Sequence, residues 1–107
     1  MTKKIRVYLA AALVSSLVSA VGFAQNSAEA NYKAKCQMCH GAKGMADTPA
    51  AKSMKVVPAT DPAVKSMSES AMVDVVTNGK GKMPSYKGKL SDADIKEVVA
   101  YYRTFTK

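Results

Sequence analysis

Apolar residues in this chain recur at helical spacing or gather in one continuous run, and no parallel-sheet pattern appears anywhere. The plainest helix lies near the C-terminus, where Ile95, Val98, Val99 and Tyr102 follow i, i+3, i+4, i+7 spacing and Phe105 extends the face. Leu90 and Ile95 match a hydrophobic staple around a cap at Ser91, with Asp94 in the capping-box position. Acids at its start and Arg103 and Lys107 near its end suit the helix dipole. A middle helix is predicted to begin at Ser68, with Met67 and Met72 as its staple and Asn78-Gly79 as its stop. Met72, Val73 and Val76 form its apolar face. The β-branched residues Val73, Val75, Val76 and Thr77 weaken its local propensity, so burial must compensate.

A third helix is predicted upstream, capped by Asn26 with Glu29 three residues on. Ala28, Ala30, Tyr32 and Ala34 carry it toward Cys36, and Tyr32 and Cys36 share a face at i, i+4. The C-terminal helix is expected to pack across this one. Between them, Gly41 to Pro62 is dense in glycine and proline and reads as loop or short helical turn, with a helical piece around Ala50–Lys55 as an option.

The continuous apolar run is at the N-terminus. Lys3, Lys4 and Arg6 precede Val7–Val21, which is apolar apart from Tyr8 and three serines, and Gly22-Phe23-Ala24 follows. Residues 1–24 therefore read as a secretory signal peptide cut between Ala24 and Gln25, with Ala20 as a second choice. An uncleaved anchor is the competing reading, since the run is near the lower length limit for spanning a bilayer. The serines and the small-residue end favour cleavage, after which no stable membrane insertion is expected. Cleavage leaves residues 25–107 as one domain, too short to bury a large core by itself. Removing the leader's three basic residues from sixteen leaves thirteen against eight acids, a net charge of +5. Apart from Arg103 the excess is scattered lysine, with no arginine stripe or aromatic platform, which argues against nucleic acid as a partner.

Candidate chemistry is concentrated in Cys36-Gln37-Met38-Cys39-His40, which holds the only two cysteines and the only histidine. Cys-x-x-Cys-His is the attachment pattern of c-type haem. Each thiol adds to one porphyrin vinyl group, and the following imidazole binds the iron as proximal ligand. Structural zinc needs four ligands, and Cys and His together supply three. A redox dithiol normally follows a strand, whereas the segment before Cys36 reads as helix. A Cys36–Cys39 disulfide would close a very short loop and contribute little.

Seven methionines offer a sixth ligand. Met1 leaves with the signal, Met38 is trapped between the thiols, and Met45 lies too near the proximal side. Met67 and Met72 are better explained as staple and core. Met83 sits in Asn78-Gly79-Lys80-Gly81-Lys82-Met83-Pro84, where glycines allow close backbone approach to a flat cofactor and Pro84 stiffens the exit. His40 and Met83 are the predicted metal ligands, with Met54 a weaker rival.

The run Cys-Gln-Met-Cys-His-Gly, the later Asn78–Tyr86 segment and the helix from Leu90 to Arg103 resemble, in order and spacing, the short class I c-type cytochromes of bacteria. The resemblance implies an all-α fold of three to four helices around one covalently bound haem c. It implies His/Met-ligated low-spin iron and electron transfer between larger redox proteins, a periplasmic carrier rather than an enzyme. In that family a loop carbonyl orients the proximal imidazole, for which Pro49 and Pro58 are both candidates. Tyr86 takes a family aromatic position, either as packing or as a donor to a propionate. Lys43, Lys80, Lys82, Lys87 and Lys89 fall in segments expected to border the haem edge and, as a group, are candidates to steer an acidic partner. The competing function is a haem protein with a labile Met83 bond, a gas sensor or weak peroxidase, although no second histidine or nearby arginine supplies distal acid–base chemistry.

Overall fold

A computed structural model describes residues 18–107, with side chains from Ser27 onward. Lys3, Lys4, Arg6 and most of the apolar run lie outside the described residues, so the signal-peptide reading rests on sequence. Six helices follow one another: α1 Val18–Lys35, α2 Gln37–His40, α3 Pro49–Met54, α4 Pro62–Lys65, α5 Glu69–Asn78 and α6 Asp92–Arg103, with a short 3-10 turn at Thr104–Thr106. No strand occurs among the described residues; Lys80 with Met83 and Lys87 with Leu90 form isolated bridges only.

The two downstream helices start where their caps predict. Ser68 Oγ accepts the Ala71 N–H at 3.2 Å and Ser91 Oγ accepts the Asp94 N–H at 3.0 Å. Both staples form within one hydrophobic cluster, in which Met72, Leu90 and Ile95 are buried and Met67 packs against them. Gly79 ends α5 at φ 77, its N–H bonded to the Val75 carbonyl at 2.7 Å.

One expectation needs correction. Asn26 does not cap α1 but lies inside it, because the helix extends upstream of it to Val18. Glu29 instead reaches forward one turn to Lys33, 3.0 Å away. The proline-rich stretch holds both loop and short helix. Pro49 and Pro62 each occupy a first helical turn, where a missing N–H costs nothing. Thr48 Oγ1 caps α3 through Ala51 N–H at 3.0 Å, and Asp61 Oδ1 caps α4 through Ala63 N–H at 2.9 Å. Among the described residues, three longer helices and three short ones make up the all-α fold.

α6 is the organiser, crossing α1 on one side and packing against α5 on the other. Toward α5 it presents Ile95 and Val99, each almost fully buried beside Met72 and Leu90. Each such side chain contributes about 1.5–3 kcal/mol on burial. Toward α1 it presents Tyr101 and Tyr102, whose ring centroids lie 5.3 and 6.4 Å from that of the buried Tyr32, while Phe105 lies 5.6 Å from it. Arg103 then donates from Nη1 to the Met67 carbonyl at 3.1 Å, fixing the end of α6 to the approach to α5. The all-α expectation is met, and α1 and α6 cross as predicted.

Candidate functional site

Between these helices lies an apolar cleft with two lobes. The inner lobe has a cavity volume of about 160 Å³ and is walled by aliphatic, methionine and tyrosine side chains, including Val64, Met67, Met72, Val98, Val99 and Tyr102. The outer lobe opens beside Lys35, Lys80, Lys82, Pro84 and Tyr86. Cys36, His40, Val56 and Met83 line both lobes. Taken together, the two lobes form one apolar-lined cleft suited to a large flat cofactor.

One wall is the Cys36–His40 segment. α1 brings Tyr32 and Cys36 to the cleft on one face, as their spacing predicts, and the Cys36 N–H bonds the Tyr32 carbonyl at 2.9 Å. Cys39 and His40 then follow on the single turn of α2, with the His40 N–H bonded to the Cys36 carbonyl at 2.9 Å. Tyr32 also donates its hydroxyl to the Gly41 carbonyl, locking the exit from that turn. Burial raises the Tyr32 phenol well above its ordinary pKa, with Cys36 next in effect, so the hydroxyl stays a donor.

The thiols are not disposed for dithiol or zinc chemistry. Burial pushes the Cys36 thiol up to about 11, with Lys35 opposing and Cys39 adding to the rise. A reactive redox cysteine needs the opposite shift. Cys36, Cys39 and His40 line a cleft instead of converging as ligands of one ion, and both cysteines are free.

His40 is held by the Tyr102 ring, edge-on at 5.3 Å, and burial lowers its pKa, which keeps the imidazole in the neutral form that binds metals. Its Nδ1 is buried with no hydrogen-bond partner. Neither proposed carbonyl reaches it. Pro58 gives its carbonyl to the Asp61 N–H at 3.0 Å, and Pro49 opens α3, whose first-turn carbonyls point along the helix. An unpaired buried ring nitrogen is costly in apolar surroundings, which sets His40 apart from a satisfied core histidine.

Met83 stands on the other wall. The loop carrying it folds back on the end of α5, satisfying carbonyls the helix leaves open. Tyr86 N–H bonds the Val76 carbonyl at 2.9 Å, and the Thr77 carbonyl takes Ser85 Oγ at 2.6 Å and Lys87 N–H at 3.2 Å. Lys80 and Met83 exchange backbone bonds of 3.0 Å each way. The other methionines sort clearly. Met38 and Met45 are exposed, Met72 is buried in the core, and Met54 lies against the attachment segment, its Sδ 3.9 Å from Cys39 Sγ.

The predicted lysines divide. Lys80 and Lys82 stand at the mouth of the outer lobe, whereas Lys43, Lys87 and Lys89 do not line it, and Lys89 lies over the Tyr86 ring at 5.7 Å. Lys35 joins the mouth and was missed, although its place directly before Cys36 was a usable signal. Tyr86 packs against the core cluster, and its hydroxyl donates to the Lys35 carbonyl at 2.8 Å. Burial, then Cys36 and Cys39, raises its pKa and keeps that proton in place.

The family model described as cytochrome c oxidase, cbb3-type, subunit III matches residues 23–101. The chain is 40% identical over 70 residues to cytochrome c6 of Leptolyngbya boryana, a match covering 65% of this chain and 79% of that protein. It is 37% identical over 73 residues to cytochrome c6 of a Synechocystis species, covering 68% of this chain and 58% of that protein. Cytochrome c6 of a Picosynechococcus species is 38% identical over 74 residues, with 65% of this chain and 63% of that protein covered. The match thus spans less than two thirds of the last two relatives. In fold the chain is similar to the solved KustC0563 c-type cytochrome, with a TM-score of 0.68 at 23% identity, over 75% of this chain and 98% of that one. A helical shell around an apolar cleft, entered by the Cys-x-x-Cys-His turn, agrees with these likenesses: the chain belongs to the small class I c-type cytochromes, whose cofactor is a covalently bound haem c.

Proposed function

We propose that this chain is an exported, periplasmic one-electron carrier with a single haem, attached through Cys36 and Cys39 and ligated by His40 and Met83. The observation that carries the reading is the cleft itself, with Cys36, His40 and Met83 lining both of its lobes. When bound, haem supplies an iron that cycles between ferric and ferrous by one electron. The chain's own residues keep that change small. Cys36 and Cys39 would hold the haem covalently, His40, kept neutral by burial beside Tyr102, would bind its iron from one side, and Met83 would supply a thioether ligand. The aliphatic inner lobe would give the cofactor apolar surroundings.

Two further features support a carrier over a sensor or peroxidase. Apart from His40, Cys36 and two tyrosines, the described lining of the inner lobe contains no acid or base to work on a bound small molecule. The mouth of the outer lobe carries Lys35, Lys80 and Lys82, a basic rim suited to brief docking of an acidic redox protein. No described helix is long and apolar enough to cross a membrane.

Intact-mass measurement on protein exported by a host that matures c-type haem tests the attachment and the export together. The expected species begins at Gln25 and carries one haem. A mature chain without added haem mass would contradict the attachment, and a retained leader would contradict release into the periplasm.

A further inference from the structure

The loop bearing Met83 is fastened to α5 by several bonds, through Tyr86 N–H, Ser85 Oγ and Lys87 N–H. Toward the opposite wall, where Cys36 and His40 sit, its hydrogen bonding is different. Among the described residues one bond crosses: Tyr86 Oη to the Lys35 carbonyl at 2.8 Å, joining residues 51 positions apart. That carbonyl belongs to the last residue of α1, one of the four that a helix end leaves without an internal partner. Tyr86 lines the outer lobe with both cysteines, and its ring packs on the core cluster that includes Met72 and Ile95. The ring is therefore a fixed spacer, and the hydroxyl sets how far apart the two walls stand.

We propose that Tyr86 is a positioning residue for Met83: its hydroxyl straps the Met83 loop to the end of α1 and holds the thioether over the position facing His40. The proposal rests on the Met83 ligation put forward above. With the strap cut, the loop keeps its bonds to α5 but can swing from the attachment wall, so the sulfur yields more readily to an added ligand. The packed ring is untouched by removal of the hydroxyl, which separates positioning from folding.

The test is imidazole binding to the ferric holoprotein, followed optically, in a double-mutant cycle of Tyr86→Phe and Met83→Ala. Tyr86→Phe is expected to raise imidazole affinity about three- to tenfold, the size of one lost hydrogen bond. In the Met83→Ala background the same change is expected to have no effect, because no sulfur remains to be positioned. Equal affinity of Tyr86→Phe and the native protein, or an equal rise in both backgrounds, overturns the strap while leaving the ligation standing. A Met83→Ala protein that keeps its sulfur–iron absorption overturns the ligation and the strap with it.

Discussion

Gly79 is where the Met83 loop turns, and it has two reasons to be glycine. Its φ is 77, and a Cβ there would stand 2.9 Å from both the Met83 carbonyl oxygen and the Ser85 nitrogen, backbone atoms that cannot swing aside. Gly79→Ala is expected to cost about 1–3 kcal/mol in chemical denaturation of the holoprotein, from backbone strain alone. A loss below experimental error would mean that the turn is softer than its geometry implies. Met54 offers the complementary case. Its sulfur contacts Cys39, on the attachment wall, so Met54→Leu is expected to leave the axial-ligand spectrum unchanged. A lost sulfur–iron band in that variant would transfer the sixth-ligand role to Met54. At this scale the gathering of Cys36, Cys39 and His40 beside one cleft was legible from their close spacing. Tyr86's bond to Lys35 was not, because a side chain donating to a distant carbonyl leaves no mark on residue type or periodicity.

Caps and staples make the starts of α5 and α6 legible in the sequence, since Ser68, Met67, Ser91 and Leu90 are local signals read over a few residues. Ser91→Ala tests how much that signal contributes. Loss of its bond to the Asp94 N–H is expected to destabilise the protein by about 1 kcal/mol. For a domain of this size that corresponds to a melting temperature lower by about 4–8 °C. An unchanged melting curve would show that tertiary packing of Ile95 and Val99 alone sets the start of α6. One local signal failed: Asn26 resembles a cap, but the helix runs through it. The stretch read as loop or short helical turn holds both, since Pro49 and Pro62 each follow a capping side chain, Thr48 or Asp61, and open a short helix.

Taken as a whole, the molecule is a shell that is incomplete without its cofactor. An apolar cavity of about 160 Å³ between α1, α5 and α6 is larger than the voids a packed interior tolerates. Haem-free chain, obtained by changing Cys36 and Cys39 to alanine, is therefore expected to lose fixed tertiary structure, read as collapse of near-ultraviolet circular dichroism. A rigid, cooperatively melting apoprotein would contradict this. The basic mouth formed by Lys35, Lys80 and Lys82 predicts that electron-transfer rates with an acidic redox partner fall as salt rises, and a flat dependence would remove the steering role. This rim was half legible: Lys80 and Lys82 flank the predicted ligand, but which other lysines reach the mouth depends on how α1 and the Met83 loop meet.

The most direct test is the optical spectrum of the exported protein, oxidised and reduced, with carbon monoxide added to the reduced form. Ligation by His40 and Met83 predicts low-spin haem c in both states, a sulfur–iron charge-transfer band in the ferric protein, and a ferrous spectrum that carbon monoxide leaves unchanged at neutral pH. A high-spin spectrum without the sulfur band, or rapid carbon monoxide binding, would contradict it.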